Sequence, residues 1–220
     1  MRGKAGQDYQ AIVIGASARS INALGFLFSE LEEDFPLPLL VTRHSNAQDD
    51  SEMLRKLARQ SSLPVKLAKD KERISAGIIY FTPAGYYMQI QQNGIISLNM
   101  EPPVVHIRPS IDLLFQSAAK VYEEALVAIV LTEENSDGAQ GIQAVKDFGG
   151  TTIVQCPDSA KATLMPREFL KMGCIDFQLS LEEIPRPQGG VLFLWRCIKP
   201  VTKYSWDSRL HANRKRHSLR

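Results

Sequence analysis

No apolar run in this sequence approaches the roughly 18 residues needed to cross a bilayer. The N-terminal MRGKAGQDYQ has a basic start, but the run behind it, AIVIGA, is too short for the core of a secretory signal. Membrane insertion and export are therefore not expected, and the reading is of a cytoplasmic protein. Cysteine is scarce as well. Cys156, Cys174 and Cys197 are odd in number and lack the paired short spacings of a metal site, so neither a disulfide framework nor a zinc site is expected. Internal repeats and low-complexity linkers are also missing. With 44% apolar, 23% charged and 8% aromatic residues, the composition excludes fibrous and intrinsically disordered classes. A chain of 220 residues is long enough to bury roughly 70% of the surface its unfolded form exposes.

Charge is unevenly placed. The net charge is +2, yet the last 25 residues, from Arg196, hold eight of the 26 Lys and Arg and only one of the 24 acids, Asp207. The preceding chain is therefore net acidic and the basicity belongs to a tail. A cluster such as RLHANRKRHSLR is able to meet nucleic acid, an anionic surface or an acidic partner; read as a solvated tail, it gives no expectation of nucleic-acid binding. The chain divides into an N-terminal extension at 1–9, one domain at 10–195 and the tail at 196–220.

Within that domain, short β-branched runs alternate with amphipathic stretches. AIVIGA (11–16), LPLLVTRH (37–44), LVAIVLT (126–132) and TTIVQC (151–156) read as buried strands. INALGFLFSELEED, SEMLRKLARQ and GAQGIQAVKDFGG read as the helices between them. This order predicts an α/β fold: a doubly wound, mostly parallel sheet with helices on both faces. GIIYFTPAGYYMQIQQNGIISLNM alternates polar and apolar residues around Asn93-Gly94, which predicts a β-hairpin. RPSIDLLFQSAAKVY predicts a helix with Pro109 in its first turn and Ser110 or Arg108 near its cap.

Ligand sites of open parallel sheets lie beyond the carboxyl ends of the strands, and that rule selects three polar residues. Ser17 follows the first strand, His44 ends the second and Asp137 follows LVAIVLT. A serine hydroxyl needs a base to take its proton and a third group to orient that base, and Ser17, His44 and Asp137 are the types that supply those roles. Backbone N–H groups at a nearby helix start are able to stabilise an oxyanion. Each residue also has a structural reading: Ser17 as a helix cap, His44 as a polar strand end, Asp137 as part of an Asp-Gly turn. Spacing alone does not decide between the two. His106, in PPVVHIRPS, is a second candidate base that is better read as structural or substrate-facing; His211 and His217 lie in the tail. Nucleotide binding is a weaker reading, because GASARS lacks the later glycines of a dinucleotide fingerprint and no P-loop lysine follows; no cofactor is expected.

The stretches AIVIGAS, VTRH, HIRPSIDLLFQSAA, AIVLTEENSDGAQGI and QCPDSAKATLMPREFLKMG resemble, in order and spacing, the catalytic domain of the CheB-type chemotaxis receptor methylesterases over roughly residues 10–180. The resemblance implies a doubly wound sheet with a hairpin near the active-site edge. It also implies hydrolysis of glutamate methyl esters, and deamidation of some glutamines, on helical chemoreceptor-type signalling proteins. Ser17 matches the nucleophile, His44 the general base and Asp137 the orienting carboxylate; Met165 matches a loop beside the site. Two loops depart from the family pattern. Ala18, Arg19 and Ser20 stand where Thr-Gly-Gly is usual, and Glu133, Glu134, Asn135 and Ser136 precede Asp137 where a glycine-rich run is usual. Lost glycines restrict close backbone approach, and added carboxylates oppose a developing negative charge. A catalytically impaired CheB-like binding or signalling module is therefore the alternative, with Glu133 or Glu134 pairing to Arg19 or Arg43 across the site. The family's usual receiver domain is absent from this chain, which leaves control to a separate response-regulator partner or leaves the domain constitutively available.

Overall fold

The computed structural model describes residues 9–44, 50–100, 108–131, 137–156 and 173–185. In chain order its elements are β1 (Ala11–Ala16), α1 (Ile21–Ser29), β2 (Leu39–Arg43), α2 (Ser51–Ala58), β3 (Val65–Leu67), β4 (Ile79–Phe81), β5 (Tyr87–Gln91), β6 (Ile95–Asn99), α3 (Ile111–Tyr122), β7 (Leu126–Val130), α4 (Ala139–Asp147), β8 (Thr151–Gln155) and β9 (Phe177–Leu179). A single 3-10 turn, Glu123–Ala125, joins α3 to β7.

Seven strands form one sheet in the order β3-β4-β2-β1-β7-β8-β9, and every pairing in it is parallel. The four β-branched runs take its centre, where every residue of β1, β2, β7 and β8 is buried. Their near-continuous apolar character follows from burial on both faces. Ile12 and Ile14 of β1 pack with Leu24 and Phe28 of α1 and Leu57 of α2. Ala11 and Val13 face the other way, toward Leu114 and Phe115 of α3 and Ile142 and Val145 of α4. Helices thus cover both faces, as the strand–helix alternation predicts.

The chain runs from β1 outward through β2 on one side and returns to β7 on the other. Connections diverge between β1 and β7, and in sheets of this kind the crevice at that switch point is where ligands bind. Ser17 lies at its edge.

Three short strands, β3, β4 and β9, are additional to those the sequence predicts. β4 is the Ile79–Phe81 part of the segment read as a hairpin arm; it pairs instead with β2 and β3 in the main sheet. The hairpin itself begins at Tyr87, and its register pairs Gln91 with Ile95. Its loop is therefore the three residues Gln92, Asn93 and Gly94, with Gly94 at φ +69°, the left-handed position that a three-residue hairpin loop requires. The hairpin packs on α3 through Met88, Ile90 and Ile96, and the Ile90 amide donates to Ser117 Oγ at 3.0 Å. Ser110, with extended backbone and its hydroxyl accepting from the Leu113 amide, caps α3. Pro109 therefore precedes the cap and lies outside the helix.

α3 and α4 approach closely at Gly141. A β-carbon there would lie 2.7 Å from Phe115 Cβ and 3.1 Å from Asp112 Cα. Neither obstacle can rotate away. Gly141→Ala gains about 1 kcal/mol of helix propensity, but it overpacks a rigid contact that costs about 1–3 kcal/mol. The expected outcome is a net loss of a few degrees in melting temperature, read by differential scanning calorimetry; an increase would show that α3 and α4 separate easily.

Candidate active site

The site is assembled by strand register. β1 pairs with β2 so that Ala16 stands opposite Arg43, and the ladder continues one step further, the His44 amide donating to the Ala16 carbonyl at 3.0 Å. Ser17 and His44 are thereby consecutive continuations of neighbouring strands. On the other side of β1, the Leu131 amide donates to the Gly15 carbonyl at 3.0 Å, which carries the end of β7 to the same rim. Gly138, the N-cap of α4, adopts φ +104°, a left-handed angle that only glycine takes readily. It turns the chain from Asp137 directly into the helix.

His44 Nε2 lies 2.7 Å from Asp137 Oδ2. Asp137 is buried, and its two oxygens are filled by further donors. Ser110 Oγ donates to Oδ1 at 2.9 Å, the Ile111 amide to Oδ2 at 2.7 Å and the Asp112 amide to Oδ1 at 3.2 Å. Burial alone would raise the pKa of this carboxyl. The His44 hydrogen bond and the amides of Ile111 and Asp112 outweigh it, so the group lies below its ordinary range and is ionised at neutral pH. Two of these donors are N–H groups at the start of α3, which an isolated helix leaves unpaired. α3 comes this close because Gly15 has no side chain: a β-carbon on Gly15 would lie 2.6 Å from Ile111 Cγ2.

Ser17 is also buried. Its hydroxyl lies 3.0 Å from Ser20 Oγ and accepts from the Arg19 amide at 3.3 Å. α1 begins at Ile21, four residues beyond Ser17, and the N-cap position falls on Ser20 rather than on Ser17. Ser17 is thus free of a capping role, and a hydroxyl that the sequence marks only as a lost glycine, Ser20, touches it.

A buried ion pair lies behind the two turns. Arg43 Nη2 contacts Asp50 Oδ1 at 3.0 Å, with both side chains 7% exposed. Nη1 of the same guanidinium donates to the carbonyls of His44 at 3.2 Å and Ala18 at 3.5 Å. One cation therefore fastens the turn after Ser17 to the turn at His44. Arg43, considered above as a partner for Glu133 or Glu134, is committed to Asp50. Glu133, Glu134, Asn135, Ser136, His106 and Met165 lie outside the described residues, as does the tail with His211 and His217.

Sequence reasoning brought Ser17, His44 and Asp137 to one rim. It missed Ser110 and the α3 amides as the donors to Asp137, and it missed Asp50 and Asp112. Ser110 carried a usable signal, because a serine ahead of an apolar-periodic helix marks an N-terminus whose unpaired amides seek an anion.

A doubly wound parallel sheet with serine, histidine and aspartate at the carboxyl ends of three central strands defines an α/β domain with a polar site at its switch point. Comparison with known proteins narrows the class. Residues 12–187 match the CheB methylesterase family. A Leptospira interrogans protein, provisionally named protein-glutamate methylesterase/protein-glutamine glutaminase, is 40% identical over 177 residues, covering 80% of this chain and 92% of that protein. The protein-glutamate methylesterase/protein-glutamine glutaminase of Clostridium acetobutylicum is 32% identical over 175 residues, and there the match spans 80% of this chain but about half of the relative, 51%. The crystal structure of the Thermotoga maritima CheB methylesterase catalytic domain superposes with a TM-score of 0.76 at 28% identity, covering 81% of this chain and 96% of that one. The chain belongs to the CheB methylesterase family.

Two expectations follow from the geometry. Asp50→Ala strands the Arg43 guanidinium and is expected to cost about 3–5 kcal/mol in urea denaturation, whereas the double replacement Arg43→Met with Asp50→Leu recovers most of that loss; equal stability of single and double variants would contradict a desolvated pair. The second concerns Asp112, whose carboxyl is pushed up to about 6 by burial, against the Gly141 amide and with the charge of Asp137 adding to the rise. The folded state then holds a proton that the unfolded chain releases between pH 4 and 6, so this group makes stability fall as pH rises through that window. Asp112→Asn removes the effect, and its melting temperature is expected to decline less between pH 4 and 6.5 than that of the parent.

Proposed function

We propose that this protein hydrolyses glutamate methyl esters on helical chemoreceptor-type signalling proteins, and deamidates glutamines at equivalent positions, through a Ser17–His44–Asp137 triad. The observation that carries the reading is the 2.7 Å contact of His44 Nε2 with a carboxylate whose oxygens are otherwise saturated. A fixed carboxylate at Nε2 holds the imidazole in the tautomer with its proton on that nitrogen, leaving the base function to Nδ1. The family membership of the chain and the names of its relatives support the substrate class.

In this reading Ser17 Oγ attacks the side-chain carbonyl while His44 Nδ1 takes its proton. The tetrahedral intermediate collapses to an acyl-serine, and the imidazolium returns the proton to the departing methanol, or to ammonia when the substrate is glutamine. Water then adds to the acyl-serine by the same proton path, freeing a glutamate carboxylate and restoring Ser17. The ionised Asp137 stabilises the imidazolium formed in each half-reaction. Its protein donors cost nothing to organise at the moment of reaction, because they are in place beforehand. Such an enzyme meets its substrate in the cytoplasm, and a separate response regulator is the natural source of control.

One observation favours the second reading, a CheB-like module that binds without catalysis: the Ser17 hydroxyl is buried and engaged with Ser20. A fluorophosphonate probe separates the two. The expected outcome is labelling of Ser17, located by mass spectrometry, that disappears in Ser17→Ala and slows on the order of 10,000-fold in Asp137→Asn, where the histidine loses its orienting anion. A folded parent that takes no label at Ser17 would reject the esterase and leave the binding module.

A further inference from the structure

We propose that Asp112 is a positioning residue for the Asp137–His44 pair, its carboxylate joining the N-terminus of α4 to that of α3 and its charge setting how firmly His44 holds a proton. What His44 does with that proton rests on the esterase reading above; the coupling itself does not.

The geometry is reciprocal. Asp137, immediately ahead of the α4 cap, accepts from the Ile111 and Asp112 amides at the start of α3. Asp112, in the first turn of α3, accepts from the Gly141 amide at the start of α4 at 2.6 Å. Each helix therefore lends its N-terminal amides to a carboxylate carried by the other. The fit is close, because Gly141 has no room for a β-carbon between Phe115 and Asp112. Neither helix start can move without loosening the carboxylate that holds His44.

Two carboxylates in one partly buried junction repel each other. Among the described residues Asp137 is the charged group that acts on Asp112, and His44 lies behind it on the other side of the shared carboxylate. Burial raises the Asp112 carboxyl and the repulsion adds to the rise, while the amides of Gly141, Gly138 and Gln140 oppose it. At pH 7 the group is ionised, and its negative charge favours a proton on the Asp137–His44 pair. A residue that touches neither substrate nor nucleophile is thereby placed to tune the base.

Asp112→Asn keeps an acceptor for the Gly141 amide and removes the charge, so a purely structural role predicts no change in proton affinity. The test is the titration of His44 by nitrogen-15 NMR, its signal assigned from the spectrum of His44→Gln, alongside the pH dependence of fluorophosphonate labelling at Ser17. In Asp112→Asn the His44 midpoint is expected to fall by about 0.5 pH unit, with the acidic limb of labelling moving by the same amount. Asp112→Ala, which also removes the acceptor, is expected to label at least ten-fold more slowly. Superimposable His44 titrations of the parent and Asp112→Asn would overturn the proposal, and that variant decides the matter even where Asp112→Ala does not fold. A parent that shows the shifted titration on mutation but no label at Ser17 upholds the coupling and rejects the esterase.

Discussion

A buried carboxylate is costly unless donors surround it, and the layout of this site follows from how Asp137 is supplied with them. The imidazole of His44 gives one, Ser110 another, and the first amides of α3 the rest. A helix start is the economical source, because its leading N–H groups have no partner within the helix and its dipole favours an anion. Bringing α3 to that point requires an unobstructed passage over the end of β1, which Gly15 provides by leaving Ile111 its space. The sheet, a glycine and a helix terminus thus act together on one side chain. The result is a carboxylate ionised well below neutral pH, which is what an orienting anion must be if it is to stabilise an imidazolium.

The opposite flank obeys the same requirement with the sign reversed. Arg43 is a cation at the end of a buried strand, and Asp50 at the N-cap of α2 neutralises it. Such a pair contributes little net stability compared with apolar residues of similar volume, since desolvation cancels most of the attraction. Its use lies in geometry. The guanidinium is planar, with donors in a fixed fork, and it ties the carbonyls of Ala18 and His44 to one point. The turn that follows the serine and the turn that carries the histidine are thereby held in a common frame, although no glycine-rich loop remains after Ser17.

Parts of this arrangement were legible in the sequence and parts were not, for definable reasons. β1, β2, β7 and β8 announced themselves because strands buried on both faces must be apolar throughout, and their carboxyl ends pointed to Ser17, His44 and Asp137. β3, β4 and β9 have three residues each, too few to show a period; β4 was also hidden inside an alternating segment that runs on into the hairpin. Pro109 was placed in the first turn because proline suits the first helical position, whereas it stands two positions before it, ahead of the Ser110 cap. The links Arg43–Asp50 and Asp112–Gly141 are tertiary. The first joins residues seven apart across a strand-to-helix connection and the second residues 29 apart on different helices, and no periodicity marks either.

The substitutions in the loop after Ser17 acquire a specific meaning in this setting. Glycines at such positions allow backbone to approach a substrate, whereas Ser20 introduces a hydroxyl that contacts Ser17 Oγ directly. A hydroxyl both donates and accepts, so this neighbour is able to engage Ser17 in two ways. Under the proposed triad, a hydroxyl donating to Ser17 would occupy a lone pair of the nucleophile, and one accepting from Ser17 would compete with His44 for its proton. The altered loop therefore gives the Ser17 hydroxyl a close neighbour while leaving the His44–Asp137 contact intact. The departures from the family pattern after Ser17 and the His44–Asp137 contact thus coexist at one rim of the sheet.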